Sequence, residues 1–419
     1  MGRITTDPGS QAASRINAKD ADGTYTELNR DDIAGNRTLF NELIVAERTP
    51  QIDLNSRFGL SVLRDTQTVA NSGAIANSNG EHNLSTGVTT ASTAQLTSVA
   101  RGRYYPGTSA LAGIGVRAPG SYTGTAYAEW GYFDANDGFG WGVDATGTYL
   151  FYTRGGAQTK VYSGSWSIDV MDGTGPSGQT LTLSDGNIFQ ISFSWYGYGQ
   201  IEWYVVLTDA TGKQVPCLVH RYAPTGTNSV QNPNLPINAY VDNGNTTTDY
   251  DLYVGGRQFS IKGRYIPAVR RTHERRLQRA SVGTTFVPLI TFRRKSGFEG
   301  FPVRFHQADL ISNQDLVWEV RVNGSLTGAS FGTPTNVSAT ETSLESDIAA
   351  TAITGGELVE AGLLTTGGGG GGGPGGARGG FSLDTFVIDL PNTDEITLCV
   401  RTVTGTATVD AVMGMEEEW

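Results

Sequence analysis

The sequence has few cysteines, few histidines and no long apolar run, and these absences exclude several classes of protein. It has two cysteines, Cys217 and Cys399, and four histidines in 419 residues. Neither cysteine has CxxC or CxxH spacing and the histidines form no HExxH or HxH pattern, so we predict no disulfide and no metal site. No run approaches the roughly twenty apolar residues of a membrane span, and the first residues lack the apolar core of a secretory signal. We therefore expect no membrane partner.

Motifs of catalysis are also missing. No GxSxG elbow is present, and the heptaglycine Gly367–Gly373 lacks the Lys-Ser/Thr ending of a phosphate loop. Asp134, Asn136, Asp137 and Gly138 resemble part of a calcium loop, but the later glutamate ligand is absent and a hairpin turn explains them. The sequence therefore predicts a protein without a cofactor and without enzymatic activity.

The charge and the glycine content indicate an all-β protein that does not bind nucleic acid. The formal net charge is −11, whereas nucleic-acid binders carry clustered basic residues. Glycine is abundant, with 56 residues, and short runs of alternating apolar and polar residues are separated by turn signals. Such a pattern is typical of β-sandwiches and jelly rolls.

The predicted fold is all-β, with two jelly-roll or β-sandwich domains joined by a basic connector and preceded by an extended N-terminal arm. The arm covers residues 1–68 and the first, concanavalin-like jelly-roll domain covers residues 69–265. The connector covers residues 266–282. The C-terminal β-sandwich covers residues 283–419 and contains the polyglycine segment, which we predict to be a long loop between strands.

The N-terminal arm combines a polar tail with an apolar segment. Residues 1–38 have too little apolar content to form a core. The apolar segment that follows has two interpretations: an edge strand packed on the next domain, or an anchor that inserts into a neighbouring subunit. The anchor and assembly candidates are Leu43, Ile44, Val45, Ile52, Leu54 and Phe58.

The connector carries concentrated positive charge in an acidic chain. Its stretch HERRLQRA is rich in helix formers and could form about two helical turns. It is either a solvated linker or a surface that meets acidic groups on neighbouring proteins, since the guanidinium group pairs with carboxylates in bidentate geometry. The candidates for such contacts between subunits are Arg270, Arg271, Arg275, Arg276 and Arg279.

Aromatic residues cluster around one turn of the first domain. Exposed aromatic rings are good platforms for sugars, and Trp130, Tyr132 and Trp141 are therefore candidates for glycan contact. Core packing of alternate residues is the competing interpretation. Paired carboxylates could make a glycosidase, but the sequence alone does not pair the candidates, which are Asp134, Asp137, Asp144 and Glu202.

Four blocks of the chain carry a resemblance to a known group of proteins. They are NELIVAERTPQIDLNSRFGLSVLRD, NDGFGWGVDATGTYLFYTRGG, YGYGQIEWYVV and NPNLPINAYVDNGNTT, in this order over about residues 41–265. Together they resemble β-jelly-roll virion structural proteins of tailed bacteriophages, and the C-terminal domain resembles the second sandwich of the same group. The polyglycine segment departs from that pattern.

The resemblance implies a non-enzymatic structural protein of a virion, assembled in the host cytoplasm. It favours a tail, baseplate or fibre component that attaches through its arm, and a capsid decoration or cement protein is the alternative. Its expected partners are other virion proteins and its own copies, in a homo-oligomer such as a trimer. A second alternative is a module that binds host surface polysaccharide, and a polysaccharide depolymerase is a third.

Overall fold

The computed structural model describes residues 16–19, 25–28, 48–62, 64–208, 212–263, 270–298, 301–335, 337–365, 377–382 and 395–418. Over these residues the chain forms β-strands and two single-turn 3-10 segments, and they contain no α-helix, so the all-β prediction is confirmed. Consequently, none of this part offers a helix that could cross a membrane. Spatial contacts divide the chain into two compact units, residues 1–265 and 266–419.

The first unit contains a short hairpin and a sandwich of two antiparallel sheets. The hairpin pairs β1 (Ile16–Lys19) with β2 (Tyr25–Leu28). The strands of the sandwich are β3 (Arg48–Leu54), β4 (Asp65–Ala70), β5 (Ala74–Ser78), β6 (Glu81–Ser85), β7 (Thr93–Arg101), β8 (Ser109–Arg117), β9 (Tyr127–Phe133), β10 (Gly138–Asp144), β11 (Gly147–Arg154), β12 (Ala157–Tyr162), β13 (Asn187–Phe193), β14 (Ile201–Thr208), β15 (Gln214–Tyr222), β16 (Pro236–Asp242) and β17 (Asp251–Lys262).

These strands form a seven-stranded and an eight-stranded sheet. The order in the first is β12-β11-β10-β9-β16-β7-β4. The order in the second is β15-β14-β13-β8-β17-β6-β5, with β3 paired to β17. The predicted turns at Asp137-Gly138 and Thr146-Gly147 lie between β9, β10 and β11, which pair as consecutive hairpins.

The core of the first unit lies between the two sheets and is rich in aromatic residues. Side chains alternate across a strand, so β9 and β10 each send every second residue inward. The ring of Phe189, from β13 of the opposite sheet, lies 5.1 Å from the ring of Trp130 and 5.1 Å from that of Trp141. Burial of such large apolar surfaces is the main stabilising contribution to a sandwich.

The second unit is also built from antiparallel sheets. Its strands are β18 (Arg270–Val282), β19 (Val287–Arg294), β20 (Val303–Ser312), β21 (Leu316–Val322), β22 (Ser325–Thr327), β23 (Leu344–Asp347), β24 (Ala352–Thr354), β25 (Glu357–Leu364), β26 (Ala377–Ser382), β27 (Glu395–Thr402) and β28 (Ala407–Glu418). A four-stranded sheet has the order β18-β28-β20-β26, a five-stranded sheet has the order β23-β19-β27-β21-β25, and β22 pairs with β24. Residues of the two larger sheets, including Ile290, Phe305 and Met413, share one buried core.

The basic connector is not a linker or a helix along its described length. Residues Arg270–Val282 form β18, which pairs antiparallel with the acidic C-terminal strand β28 in a register that places Arg270 opposite Glu418 and Arg271 opposite Glu417. The Glu417 carboxylate is buried and accepts hydrogen bonds from the hydroxyl groups of Thr342 and Ser343. The basic segment therefore has a strand partner within its own chain.

The remaining connector arginines differ in their surroundings. Arg279 is half-buried and its Nη2 donates to the carbonyl oxygen of Ala350 at 2.8 Å, and its contact between subunits stays a prediction. Arg275 is half-buried. The Arg276 side chain is 79 % exposed and its Nη2 lies 3.7 Å from Glu274 Oε2. Its contact with another subunit stays a prediction.

The predicted arm of residues 1–68 already contains strands of the first sandwich. Strand β3, which contains Ile52 and Leu54, pairs with β17, and Ile52 is 2 % exposed in the core of the sandwich. Ile52 and Leu54 therefore lie in a strand packed on the sandwich, as the edge-strand interpretation expects. The prediction that Ile52 anchors a neighbouring subunit is wrong, because its side chain is already buried. Phe58 is 70 % exposed and remains an assembly candidate. Leu43, Ile44, Val45 and the glycines Gly367–Gly373 lie outside the described residues.

Candidate functional site

The outer face of the seven-stranded sheet has a depression of about 420 Å³ lined mainly by polar and aromatic side chains. We call this depression the trough. Its lining includes Gln95, Tyr127, Glu129, Lys160, Asn238 and Tyr240. These residues come from β7, β9, β12 and β16, so the trough extends from the edge strand β12 over the central strand β9 to β7. Its volume is in the range of small-molecule sites in proteins.

A row of glycines in β10 shapes the floor of this face. An ideal Cβ atom on Gly142 would lie 2.4 Å from Cζ of Tyr149, and one on Gly140 would lie 2.4 Å from Cζ of Phe151. Only glycine therefore leaves room for the Tyr149 and Phe151 rings of β11 to lie against the backbone of β10. The sequence GFGWGVD thus places large residues inward and leaves an outward strip of glycines that the Tyr149 and Phe151 rings cover.

Glu129 is a buried carboxylate in the trough. Its Oε1 accepts hydrogen bonds from the Tyr149 hydroxyl at 2.8 Å and from Gln158 Nε2 at 3.1 Å. Burial raises the pKa of Glu129 above its ordinary value, against the opposing effects of Tyr149, Lys160 and Gln158. Among the described residues, Oε2 makes no hydrogen bond, so this oxygen is available to a ligand.

Asp144 and Lys160 form an ion pair beside Glu129. Lys160 Nζ lies 3.1 Å from Asp144 Oδ2, which also accepts a hydrogen bond from the Tyr162 hydroxyl at 2.9 Å. Burial alone would raise the pKa of Asp144, but hydrogen bonds from the Thr146 N–H, Tyr162 and Lys160 outweigh it and lower the pKa. Asp144 is therefore ionised at neutral pH and its Oδ2 is already bound.

Two tyrosine rings and a pair of amides complete the trough. The ring centroids of Tyr127 and Tyr240 are 5.5 Å apart, and both side chains are half-buried. Asn238 Oδ1 accepts hydrogen bonds from Gln95 Nε2 at 3.2 Å and from the Thr97 hydroxyl at 3.1 Å. Aromatic surface thus lies next to groups that donate and accept hydrogen bonds.

Asp134 and Asp137 have structural roles at the end of the trough. Asp134 Oδ1 accepts hydrogen bonds from the backbone N–H groups of Asn136 and Asp137, and its Oδ2 pairs with Arg101 at 2.8 Å. Asp137 is buried and its Oδ1 accepts from the Gln231 N–H at 2.8 Å. The calcium-like cluster is therefore a hydrogen-bonded turn, and the described residues contain no group of His, Cys, Asp and Glu arranged to hold a metal.

A second depression, of about 250 Å³, adjoins the trough. It is lined by residues between Gly124 and Tyr127, by the turn after Asp144, and by Lys160. Tyr127 and Lys160 line both depressions. The two depressions are therefore neighbours on one sheet face.

The predicted glycan-contact residues are not in the trough. Trp130, Tyr132 and Trp141 are each 0 % exposed and point into the core, so the prediction that they contact a glycan is wrong. Even the Tyr132 hydroxyl is bonded inside the protein, since it accepts from the Leu235 N–H at 3.0 Å. The physical reason is the two-residue period of the strands, which sends Trp130 and Tyr132 of β9 and Trp141 of β10 inward. The same period sends Tyr127 and Glu129 of β9 outward.

The remaining carboxylate candidate lies on the other sheet. Glu202 belongs to β14 of the eight-stranded sheet, where its Oε1 pairs with Arg221 Nε at 2.6 Å. It therefore cannot pair with Asp144 across the trough. Sequence reasoning missed Tyr127, Glu129, Lys160 and Tyr240, although the alternation in TAYAEWGYFD is the signal that could have placed the first two.

Comparisons with known proteins do not assign the chain to a family. No family model and no curated protein matches the chain. Among the similar solved structures, an endo-β-1,4-glucuronan lyase from Trichoderma reesei has a TM-score of 0.34 and 9 % identity, over 50 % of this chain and 95 % of that one. Arcelin-5, a lectin-like defence protein of Phaseolus vulgaris, has a TM-score of 0.33 and 11 % identity, over 52 % and 100 %. Such weak likeness carries no argument for function.

Proposed function

We propose that the first sandwich binds a glycan in the trough on its seven-stranded sheet. The observation that carries the proposal is the arrangement of Tyr127 and Tyr240 beside the Glu129 carboxylate and the amides of Gln95 and Asn238. Sugars present apolar C–H faces and many hydroxyl groups, so they suit aromatic rings that lie next to planar hydrogen-bonding groups. An open site on a sheet face also admits a ligand without movement of the backbone.

The trough favours binding over cleavage. Hydrolysis of the usual two-carboxylate kind needs an acid and a second carboxyl group that acts as base or nucleophile. Asp134 is held by Arg101 and by backbone N–H groups, and Asp144 is held by Lys160, Tyr162 and Thr146. Glu129 is then the one carboxylate, among the described residues of the trough, with an oxygen left for a ligand. A binding module therefore fits these residues better than a depolymerase.

Replacing Tyr240 with alanine tests the proposal. A glycan array identifies the ligand, and calorimetry then compares the variants. Loss of the ring should raise Kd by about tenfold or more, since 1.4 kcal/mol corresponds to a factor of ten. Tyr253 is the matched control, because it is a half-buried tyrosine on the eight-stranded sheet, where the Arg117 guanidinium lies 3.7 Å from its ring centroid. Equal losses in both variants, or an empty array, would count against the trough.

We also propose, from the four blocks of sequence resemblance, that the chain is a structural protein of a tailed-phage virion. A tail, baseplate or fibre position would bring the trough to a host surface polysaccharide. Antibody against the chain, gold-labelled and viewed by electron microscopy on purified virions, should mark the tail. Label on the head would support the capsid-decoration alternative, and virions without label would refute both.

A further inference from the structure

The two depressions of the outer face follow one strand. The lining residues of the smaller depression begin at Gly124 and those of the trough extend to Ala135, so together they flank the whole of β9. The seven residues of β9 span roughly 20 Å at about 3.3 Å per residue. Tyr127 and Lys160, which line both depressions, mark where one joins the next. The surface is therefore elongated rather than a pocket for a single small ring.

The charges of this surface have an acidic excess. Glu129, Asp134 and Asp144 line the depressions, and Asp242 accepts a hydrogen bond from the Tyr240 hydroxyl at 3.1 Å. Arg101 and Lys160 neutralise Asp134 and Asp144. Neither Glu129 nor Asp242 forms a salt bridge among the described residues, although Lys160 acts on Glu129 from a distance. The four carboxylates outnumber these two cations, so an anionic ligand would meet a net negative charge at this surface.

We propose that the trough and its neighbouring depression together take a segment of several sugar units from an uncharged polysaccharide, laid along β9. This inference rests on the proposed glycan binding and adds the class of ligand. Hydroxyl groups can donate to Glu129 Oε2, whereas a uronate carboxylate at the same place would repel it. An exposed site that contacts several units gains affinity with chain length, because each unit adds contacts to both depressions.

A matched set of sugars tests the inference on the full chain. It consists of hexasaccharides of glucose, galactose and mannose, the corresponding monosaccharides, and the hexasaccharides oxidised to uronates at C6. We expect a neutral hexasaccharide to bind at least about tenfold more tightly than both its monosaccharide and its uronate counterpart. The Glu129→Gln variant should reduce the ratio between uronate and neutral Kd values by several fold, because it removes charge while keeping shape.

Glu81→Gln is the matched control, since Glu81 pairs with Arg117 outside the trough and its substitution should leave that ratio unchanged. Equal binding of a monosaccharide and its hexasaccharide would overturn the inference, and so would uronate binding as tight as neutral binding. In either case glycan binding itself would stand. If none of the sugars binds, and the glycan array is empty as well, both the inference and the proposed function fail.

Discussion

Replacing Asp65 with alanine is expected to lower the free energy of unfolding of the first sandwich by about 3–5 kcal/mol, because it leaves a guanidinium group buried without its counter-ion. Arg257 Nη1 lies 2.6 Å from Asp65 Oδ1, and the two side chains are 1 % and 2 % exposed. Asp65 begins β4 in one sheet and Arg257 belongs to β17 in the other. The pair therefore joins the two sheets, and chemical denaturation followed by tryptophan fluorescence measures its contribution.

An exposed ion pair of the same unit provides the control. Arg117 Nη2 lies 2.7 Å from Glu81 Oε2, but these side chains are 32 % and 34 % exposed. Glu81→Ala should therefore cost only about 0–1 kcal/mol. The double variant Asp65→Leu with Arg257→Met should recover most of the loss, since no buried charge remains. If Asp65→Ala costs no more than Glu81→Ala, the buried pair does not hold the sheets together.

Replacing Trp141 with alanine is expected to cost about 3–5 kcal/mol of unfolding free energy, because it empties a large volume in a packed core. The indole is fully buried, with its ring centroid 5.5 Å from that of Trp166 and 5.1 Å from that of Phe189. If the Trp141→Ala variant binds less glycan, the decrease should be in proportion to the fraction of molecules that are unfolded. Denaturation curves and calorimetry on the same sample measure both quantities.

Tyr240→Ala distinguishes a role in folding from a role in binding. Tyr240 is half-buried at the outer face, so its substitution should cost less stability than that of Trp141 and more affinity per folded molecule. One result for Trp141→Ala would contradict its assignment to the core. A Trp141→Ala protein with the stability of the original chain and no glycan binding would show that Trp141 contacts the ligand after all.

The hairpins of the first sandwich could be predicted from local signals, whereas the connector could not. Alternation and Asp-Gly or Thr-Gly turns mark β9, β10 and β11 in the sequence, and the structure pairs these strands as expected. The connector contains good helix formers, yet it forms β18 against β28. Helix propensities differ by less than about 1 kcal/mol per residue, so a long ladder with a complementary strand outweighs them. That partner is more than a hundred residues away in the sequence.

The residues of the candidate site could be predicted only in part from the sequence. Clustered aromatic residues pointed to the correct hairpin, but Trp130 and Trp141 face the core. The trough instead uses Tyr127 and Glu129, which lie on the opposite face of the Trp130 strand β9. A two-residue period defines two faces and does not say which one meets a second sheet. Tyr240 joins the site through the pairing of β16 with β9, which are far apart in the chain, whereas Lys160 arrives through the consecutive hairpins from β9 to β12.

The sequence by itself determined the all-β class, the short turn-bounded strands and the absence of known catalytic motifs, because these depend on composition and on neighbours within a few residues. Only the tertiary structure decided which charges are buried, which face of the hairpin is open and what the basic segment pairs with. Arg257 and Glu129 look like ordinary surface residues in the sequence. Their burial, beside Asp65 and Tyr149, depends on how distant strands meet, and pairing of that kind leaves no local signal.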